Sequence, residues 1–326
     1  MSRRTRSLSL LLGAVAVVSA WAVPAQGALL VYEPYAGHNP GTLAGQYPNG
    51  NTVGLNTGAA YATYGGATAT EALTSSGLTF GALPTMGGAE SLTSPGAGAA
   101  RVVTAQYSGS SLPTGSTLWS SMLAQVTSVN ADMGSSVFAR VQDAGTSSTN
   151  PRFITASDAG GPSASGAGIR YQGTATTPGM PSYQVNWDVA APPALELNTT
   201  YMLISKFTNL GVASGGQATL WVLTADQFTA FVAAGQTEDY LNGEDNVYAA
   251  VTQGAQTSST GNVLNTGNFI ALATFGKGVG TEAGVFDELR LGTTLADVTP
   301  VPEPASALLL AGGIVGLLGR VRRARE

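Results

Sequence analysis

The sequence predicts an all-β fold, an antiparallel sandwich with one short helix, placed between two targeting segments. Segments in which apolar and polar residues alternate recur along the chain, each bounded by Gly, Pro, Ser or Asn, as expected of half-buried strands. Only 10% of the residues are charged and 43 are glycine, a composition that suits strands and turns better than helices. With 44% hydrophobic residues, the chain can also bury a core instead of remaining disordered.

The first 27 residues have the layout of a secretory signal peptide. Three arginines come first: Arg3, Arg4 and Arg6. An apolar run at 8–18 follows them, and it is shorter than the roughly 20 residues of a membrane-spanning helix. Ala25 and Gly27 fit the small positions before a cleavage site, so we expect the mature chain to begin at Ala28. Two earlier cleavage positions stay open, after Ala20 and after Ala22.

The body at 28–298 is predicted to be one domain of about a dozen antiparallel strands. Its strand candidates are ARVVTAQY, STLWSSMLAQVTSV, SSVFARVQ, PRFITAS, AGIRYQG, SYQVNWDV, TTYMLISKF, QATLWVL, GNFIALATF and GVFDELRLG. In TTYMLISKF both faces carry apolar residues, which indicates burial on both sides. Strands and helices do not alternate, so a parallel α/β sheet is excluded. Glycines and a proline predict that Thr85–Ala100 is a loop.

One segment, TADQFTAFVAAG, carries the signals of a helix. Thr224 and Gln227 have the spacing of a capping box, and Phe228 and Phe231 follow at helical spacing. Gly235 is a typical stop. The sequence therefore predicts a helix from Ala225 to Ala234.

Charge is distributed unevenly between the body and the ends. Between Ala28 and Pro300 there are 17 acidic residues and seven basic ones, so this part should repel nucleic acid and anionic lipid. Cysteine is absent and His38 is the only histidine, which excludes disulfides, a thiolate nucleophile and an ordinary zinc site. We expect no cofactor and no nucleic-acid partner.

The chain ends on VPEPASALLLAGGIVGLLGRVRRARE, which has three successive parts. The tripeptide Pro302-Glu303-Pro304 comes first. An apolar run follows, and 301–319 as a helix would be about 28 Å long, just enough for a thin bilayer. Four arginines close the chain: Arg320, Arg322, Arg323 and Arg325. By the positive-inside rule they stay cytoplasmic, so the body would face outward. An amphipathic helix is the alternative, but 308–318 lacks a polar face.

This tail resembles the PEP-CTERM sorting signal of exported proteins in Gram-negative bacteria. The resemblance implies processing by an exosortase, a membrane protease, after transient insertion in the inner membrane. It also implies delivery to the cell surface or to an extracellular polysaccharide matrix, with polysaccharide as a further partner. The prolines beside Glu303 keep the segment extended and accessible to a protease.

The body resembles the concanavalin A-like, laminin-G-like jelly-roll domains. The similar segments are ALLVYEPYAG, STLWSSMLAQV, TTYMLISKF, GGQATLWVL and GVFDELRLGTTLADVTP. In such domains the last segment returns as a central strand with an Asp-Glu-hydrophobic-Arg run, which corresponds here to Asp287–Arg290. The resemblance implies a fold and not an activity.

No catalytic site is predicted. Some domains of this fold are glycoside hydrolases whose family 16 signature, Glu-x-Asp-x-x-Glu, places its acids on one strand face. Asp287 and Glu288 are adjacent and so should face opposite ways. We expect one of them to pair with Arg290 or a loop amide. His38, in YAGHNPG, is expected to lie in a surface loop.

Two features of the sequence could support a binding function. EDYLNGEDN at 238–246 offers the oxygen ligands that calcium prefers, but its spacing favours a solvated acidic turn, so no metal site is predicted. Trp119, Trp187 and Trp221 lie in predicted strands, where core packing is the default. We therefore expect an exported, non-enzymatic surface or matrix protein. A carbohydrate-binding module for exopolysaccharide and a divergent glycoside hydrolase remain the alternatives.

Overall fold

A computed structural model describes twelve stretches of the chain and gives the bounds of its strands and helices. The described residues are 27–65, 69–81, 83, 85–94, 100–128, 136–142, 151–156, 168–171, 195–212, 215–256, 263–275 and 281–299. The predicted signal peptide up to residue 26, the sorting tail from 300 onward and Trp187 lie outside them. No helix of the described part is long and apolar enough to cross a membrane.

The strands of the described stretches form two sheets. One has eight strands: β1 Leu29–Glu33, β3 Thr70–Thr74, β4 Ala89–Ser94, β6 Leu118–Ser128, β10 Thr200–Thr208, β11 Gly216–Leu223, β12 Ala249–Gln256 and β14 Glu282–Gly292. The other has six: β2 Ala62–Gly65, β5 Ala100–Gln106, β7 Ser136–Gln142, β8 Pro151–Ala156, β9 Gly168–Tyr171 and β13 Phe269–Phe275.

Every pairing between these strands is antiparallel. The order in the first sheet is β12-β11-β10-β6-β14-β4-β3, with β1 also on β14, and in the second it is β2-β5-β13-β7-β8-β9. Strands far apart in sequence are therefore neighbours, as in jelly rolls. The predicted antiparallel sandwich is confirmed.

Two hydrophobic cores lie on the two sides of the eight-stranded sheet, and β10 contributes to both. Leu203 and Phe207 belong to the core between the sheets, together with Ile270 of β13. Met202 and Ile204 belong to the outer core. Because successive side chains of a strand point to opposite faces, β10 is buried on both sides, as its sequence predicts.

The outer core is covered by helices. The predicted helix is confirmed as α1 Ala225–Ala233, with the capping box of Thr224 and Gln227 formed and with Phe228 and Phe231 buried. Two shorter helices, α2 Glu238–Leu241 and α3 Leu295–Val298, were not predicted. Each provides one turn that packs an apolar side chain against the sheet.

The predicted loop at Thr85–Ala100 is wrong in its centre, because it contains β4. The strand AESLTS has no glycine or proline of its own. It pairs on one side with β3 and on the other with β14, and Leu92 and Glu90 are fully buried. Ladder hydrogen bonds on both edges outweigh the weak strand preference of this sequence.

Candidate functional site: a buried carboxylate cluster

The first strand of the body brings side chains to the Asp287–Arg290 run of β14. β1 pairs with β14 so that Tyr32 stands opposite Arg290 and Glu33 opposite Leu289. The pairing of β14 with β6 is irregular between Asp287 and Arg290, and Glu288 has a φ of +52°. This bulge lets the two adjacent carboxylates reach different partners.

Glu288 is held by three donors. Its Oε2 accepts hydrogen bonds from the Tyr32 hydroxyl at 2.8 Å and from Arg290 Nη2 at 3.0 Å. Its Oε1 accepts one from the backbone N–H of Met86 at 2.9 Å. The Arg290 guanidinium also lies over the Tyr32 ring, 4.1 Å from its centroid. Burial, with the nearby charge of Glu288, raises the pKa of Tyr32, so this phenol remains a donor.

Asp287 is fully buried and is held by backbone amides. Its Oδ2 accepts from Leu78 N at 2.7 Å, and its Oδ1 accepts from Glu288 N at 2.7 Å. Only a glycine fits at position 77, because a Cβ there would lie 2.5 Å from Asp287 Oδ2. Burial, and then the charge of Glu288, raise the pKa of Asp287 to about 8. The expected pairing of this run with Arg290 and a loop amide is confirmed.

A third buried carboxylate, Glu33, lies at the end of β1, and the sequence did not identify it. Its Oε1 accepts from the backbone N–H of Tyr35 at 2.7 Å, and its Oε2 accepts from the Tyr61 hydroxyl. Burial, followed by the charge of Glu33, raises the pKa of Tyr61 far above its usual range. The phenol therefore stays protonated and keeps donating to Glu33. A glutamate within the apolar segment ALLVYEPY was the signal that could have revealed this site.

His38 lies in a loop, as predicted, but the prediction that its side chain is at the surface is wrong. Its side chain is only 2% exposed, its Nε2 is 3.6 Å from Glu33 Oε1, and its ring meets Tyr61 edge-on at 5.4 Å. Tyr35 and Gly37, both with positive φ, turn the chain between β1 and His38. The imidazole therefore points back to Glu33 and not out to solvent.

Tyr35 connects the two parts of the cluster. It is 3% exposed, and burial raises its pKa well above the usual range, with further contributions from Glu33, Glu90 and Asp287. Glu90, on β4, is fully buried. Three buried carboxyl groups, those of Glu33, Glu90 and Asp287, thus lie close enough to this tyrosine to act on its hydroxyl. This environment favours proton retention by Asp287.

The space beside this cluster is small. A cavity of about 20 Å³ between the sheets is lined by apolar side chains together with Glu33, Tyr35 and Tyr61, which is room for about one water molecule. A sugar ring cannot enter it. Within the described stretches, no three or more His, Cys, Asp or Glu side chains are arranged to hold a metal ion.

The acidic segment 238–246 uses several of its polar groups internally. Lys206 donates to both oxygens of Glu238, at 2.7 and 2.6 Å. Asn242 Oδ1 accepts from Trp221 Nε1 at 3.3 Å, and the Asn246 amide donates to Tyr240 O at 2.8 Å. The remaining acids are exposed: Asp239, Glu244 and Asp245. A largely solvated acidic turn, as predicted, is what the structure shows.

Trp119 and Trp221 lie in the outer core and stack on each other, with centroids 5.8 Å apart and planes at 13°. Their predicted core packing is confirmed.

Among the described residues, Tyr47 is an aromatic side chain that solvent reaches, at 55% exposure.

No protein-family model and no curated protein matches the chain. Among solved structures, an endo-1,3-β-glucanase from Streptomyces sioyaensis is 14% identical, with a TM-score of 0.41 over 84% of this chain and 98% of that one. Alginate lyase AlyC3 is 10% identical (TM-score 0.37; 63% and 75%). The binding domain of botulinum neurotoxin serotype G is 8% identical (TM-score 0.35; 83% and 50%), so this chain spans half its length.

Proposed function

We propose that the chain is an exported, non-enzymatic protein of the cell surface or extracellular matrix, sorted through its C-terminal tail by an exosortase-type membrane protease. The order of Pro302-Glu303-Pro304, an apolar run and an arginine cluster at the end of the sequence carries this proposal. An acidic body between two basic targeting segments supports it as well, since neither end then needs a nucleic-acid or lipid ligand.

The contacts of Asp287 and Glu288 support a non-enzymatic body. A glycosidase needs two carboxylates that flank a bound sugar, about 5 to 9.5 Å apart. Here both are buried, at 0% and 2% exposure, and they accept hydrogen bonds from Leu78 N, Tyr32 and Arg290. Such carboxylates stabilise a loop and a strand instead of meeting a substrate. A divergent glycosidase would have to use other residues.

In the proposed pathway the tail is a removable anchor. The apolar run inserts in the inner membrane, and the arginines Arg320–Arg325 hold its end on the cytoplasmic side. Pro302 and Pro304 keep Glu303 out of the helix. The protease can therefore reach Glu303 at the outer face of the inner membrane. Cleavage then releases the sandwich toward the surface.

The test is the location of the full-length chain in a host that has an exosortase. Replacing Glu303 with Ala should trap the precursor in the inner membrane, because the apolar run and the arginines still insert. Glu326→Ala is the matched control, since it removes the same charge from the same tail and should leave sorting unchanged. If Glu303→Ala protein reaches the surface as efficiently as wild type, the sorting proposal fails.

Carbohydrate binding is the second candidate, and the exposure of Tyr47 favours it. Exposed aromatic rings stack on sugars, and Tyr47 follows Gln46 in a loop that also contains Asn49 and Asn51. Affinity electrophoresis in a gel that contains the host's extracellular polysaccharide measures binding. Retardation that Tyr47→Ala abolishes and Tyr47→Phe preserves would support this function, and equal mobility with and without polysaccharide would contradict it.

A further inference from the structure

The first residue of the body is hydrogen-bonded to the segment that leads into its last helix. Ala28 N donates to the Thr293 hydroxyl at 2.8 Å, and Thr293 N donates to Ala28 O at 3.1 Å. Thr293 follows directly after β14 and precedes α3. The backbone at Ala28 therefore lies beside the segment that joins β14 to α3.

The carboxylate of Asp297, in α3, accepts hydrogen bonds from the same threonine and from the next one. Its Oδ2 accepts from Thr293 N at 3.1 Å and from the Thr293 hydroxyl at 3.3 Å. It also accepts from Thr294 N and from the Thr294 hydroxyl, both at 2.8 Å. The Thr293 hydroxyl thus accepts from Ala28 and donates to Asp297, which links the two residues through one oxygen.

Gly27 occupies the space next to the same carboxylate. A Cβ at Gly27 would lie 2.1 Å from Asp297 Oδ2, so its backbone is in contact with that oxygen. Because Ala28 N is separated from the Gly27 Cα by only the peptide carbon, it lies within about 6 Å of the carboxylate. An opposite charge at this distance favours the charged form of an amine.

Hydrolysis of the Gly27–Ala28 peptide bond would change this site. Water gives its hydroxyl to the Gly27 carbonyl carbon and a proton to Ala28 N. The resulting α-amine then binds one more proton from solvent, since its usual pKa is near 8. Gly27 leaves, and the space beside Oδ2 opens. An ammonium has three N–H donors, so it can keep the Thr293 hydroxyl and also reach the carboxylate.

We propose that removal of the signal peptide creates an ion pair between the Ala28 ammonium and Asp297, which ties the first residue of the mature chain to its last helix. This inference rests on the proposed export, with cleavage after Gly27. The precursor cannot make the pair, because its Ala28 nitrogen is a neutral amide. Maturation would thereby strengthen the contact between β1 and α3.

The experiment follows the reactivity of the α-amine in the exported protein. The purified chain is acetylated with an N-hydroxysuccinimide ester at pH 7.5, folded or in urea, and labelling of the N-terminal peptide is timed by mass spectrometry. Pairing that raises the pKa of the amine by one unit lowers its free-base fraction, so the folded chain should react about 10-fold more slowly than the unfolded one. Asp297→Asn should remove most of this protection.

Asp226→Asn is the matched control, because Asp226 is an exposed carboxylate in the first turn of α1. It should keep the slow rate. Labelling of Lys206, which is paired with Glu238, reports in each sample that the sandwich is folded. Equal rates for wild type and Asp297→Asn would overturn the proposal. A mature chain that begins at another residue would also overturn the ion pair, but it would leave the proposed export and sorting intact. An exported chain that keeps its signal peptide would contradict the ion pair and the proposed export alike.

Discussion

The stability of the sandwich should fall as pH rises from 5 to 8, and Asp287 should be a main cause. Its pKa is raised from 3.8 to about 8 in the folded chain. Between these values the unfolded state has released the proton that the folded state retains. Since stability changes with the difference in bound protons, the free energy of unfolding should decrease by at most about 1.4 kcal/mol per pH unit.

Asp287→Asn removes this titration. Asparagine has only one side-chain oxygen, so either Leu78 N or Glu288 N loses its acceptor, at a cost of about 1–3 kcal/mol. The variant should therefore be less stable than wild type at pH 5. The difference in free energy of unfolding between the two proteins should shrink toward pH 8. There the folded wild-type chain must either ionise the buried Asp287 carboxyl or keep it protonated at a pH at which the unfolded chain has released the proton.

Urea unfolding followed by tryptophan fluorescence at pH 5, 6, 7 and 8 measures both curves. Asp226→Asn, at an exposed position, is the control and should give a curve parallel to that of wild type. Parallel curves for Asp287→Asn and wild type would refute the argument, because they would show that Asp287 titrates alike in the folded and unfolded chains.

Three further outcomes are expected. Glu288→Ala should lower the free energy of unfolding by about 3–5 kcal/mol, because it leaves the charge of Arg290, whose side chain is only 15% exposed, without its partner; a loss below about 1 kcal/mol in urea unfolding would contradict the role of this pair. Replacing all four arginines of the tail with Ala should weaken membrane retention of the Glu303→Ala precursor, and fractionation that finds retention unchanged would argue against it. Wild-type protein should release no reducing sugar from β-glucans or galactans, and release that Asp287→Asn abolishes would show that Asp287 is catalytic.

The sequence predicts those parts of the fold that depend on local patterns. α1 has its capping box and its two phenylalanines within one short segment, and β10 shows its double burial in the alternation of its own residues. The sequence does not predict β4, because its strand conformation depends on pairing with its neighbour β3 and with β14, which is distant in sequence. Tertiary context of this kind outweighs propensity in a sheet.

In the carboxylate cluster, too, the sequence predicts the contacts between residues that are close in sequence and not those between distant ones. The pairing of Glu288 with Arg290 could be anticipated because the two residues are two positions apart in the sequence. The partners of Glu33 and the burial of the His38 side chain could not, since they depend on tertiary contacts, among them the pairing of β1 with β14, more than 250 positions later in the chain. A histidine between glycine and asparagine is typical of a solvent-exposed loop. The position of the Glu33 carboxylate, which the sequence does not show, explains why the His38 side chain is buried.

The intact mass of the protein recovered from the cell surface tests the proposed sorting most directly. The proposal predicts a chain that begins at Ala28 and lacks Ala305–Glu326, because the signal peptide and the anchor are both removed. A surface protein whose mass still includes the terminal RVRRARE would contradict it and would make the tail a permanent membrane anchor.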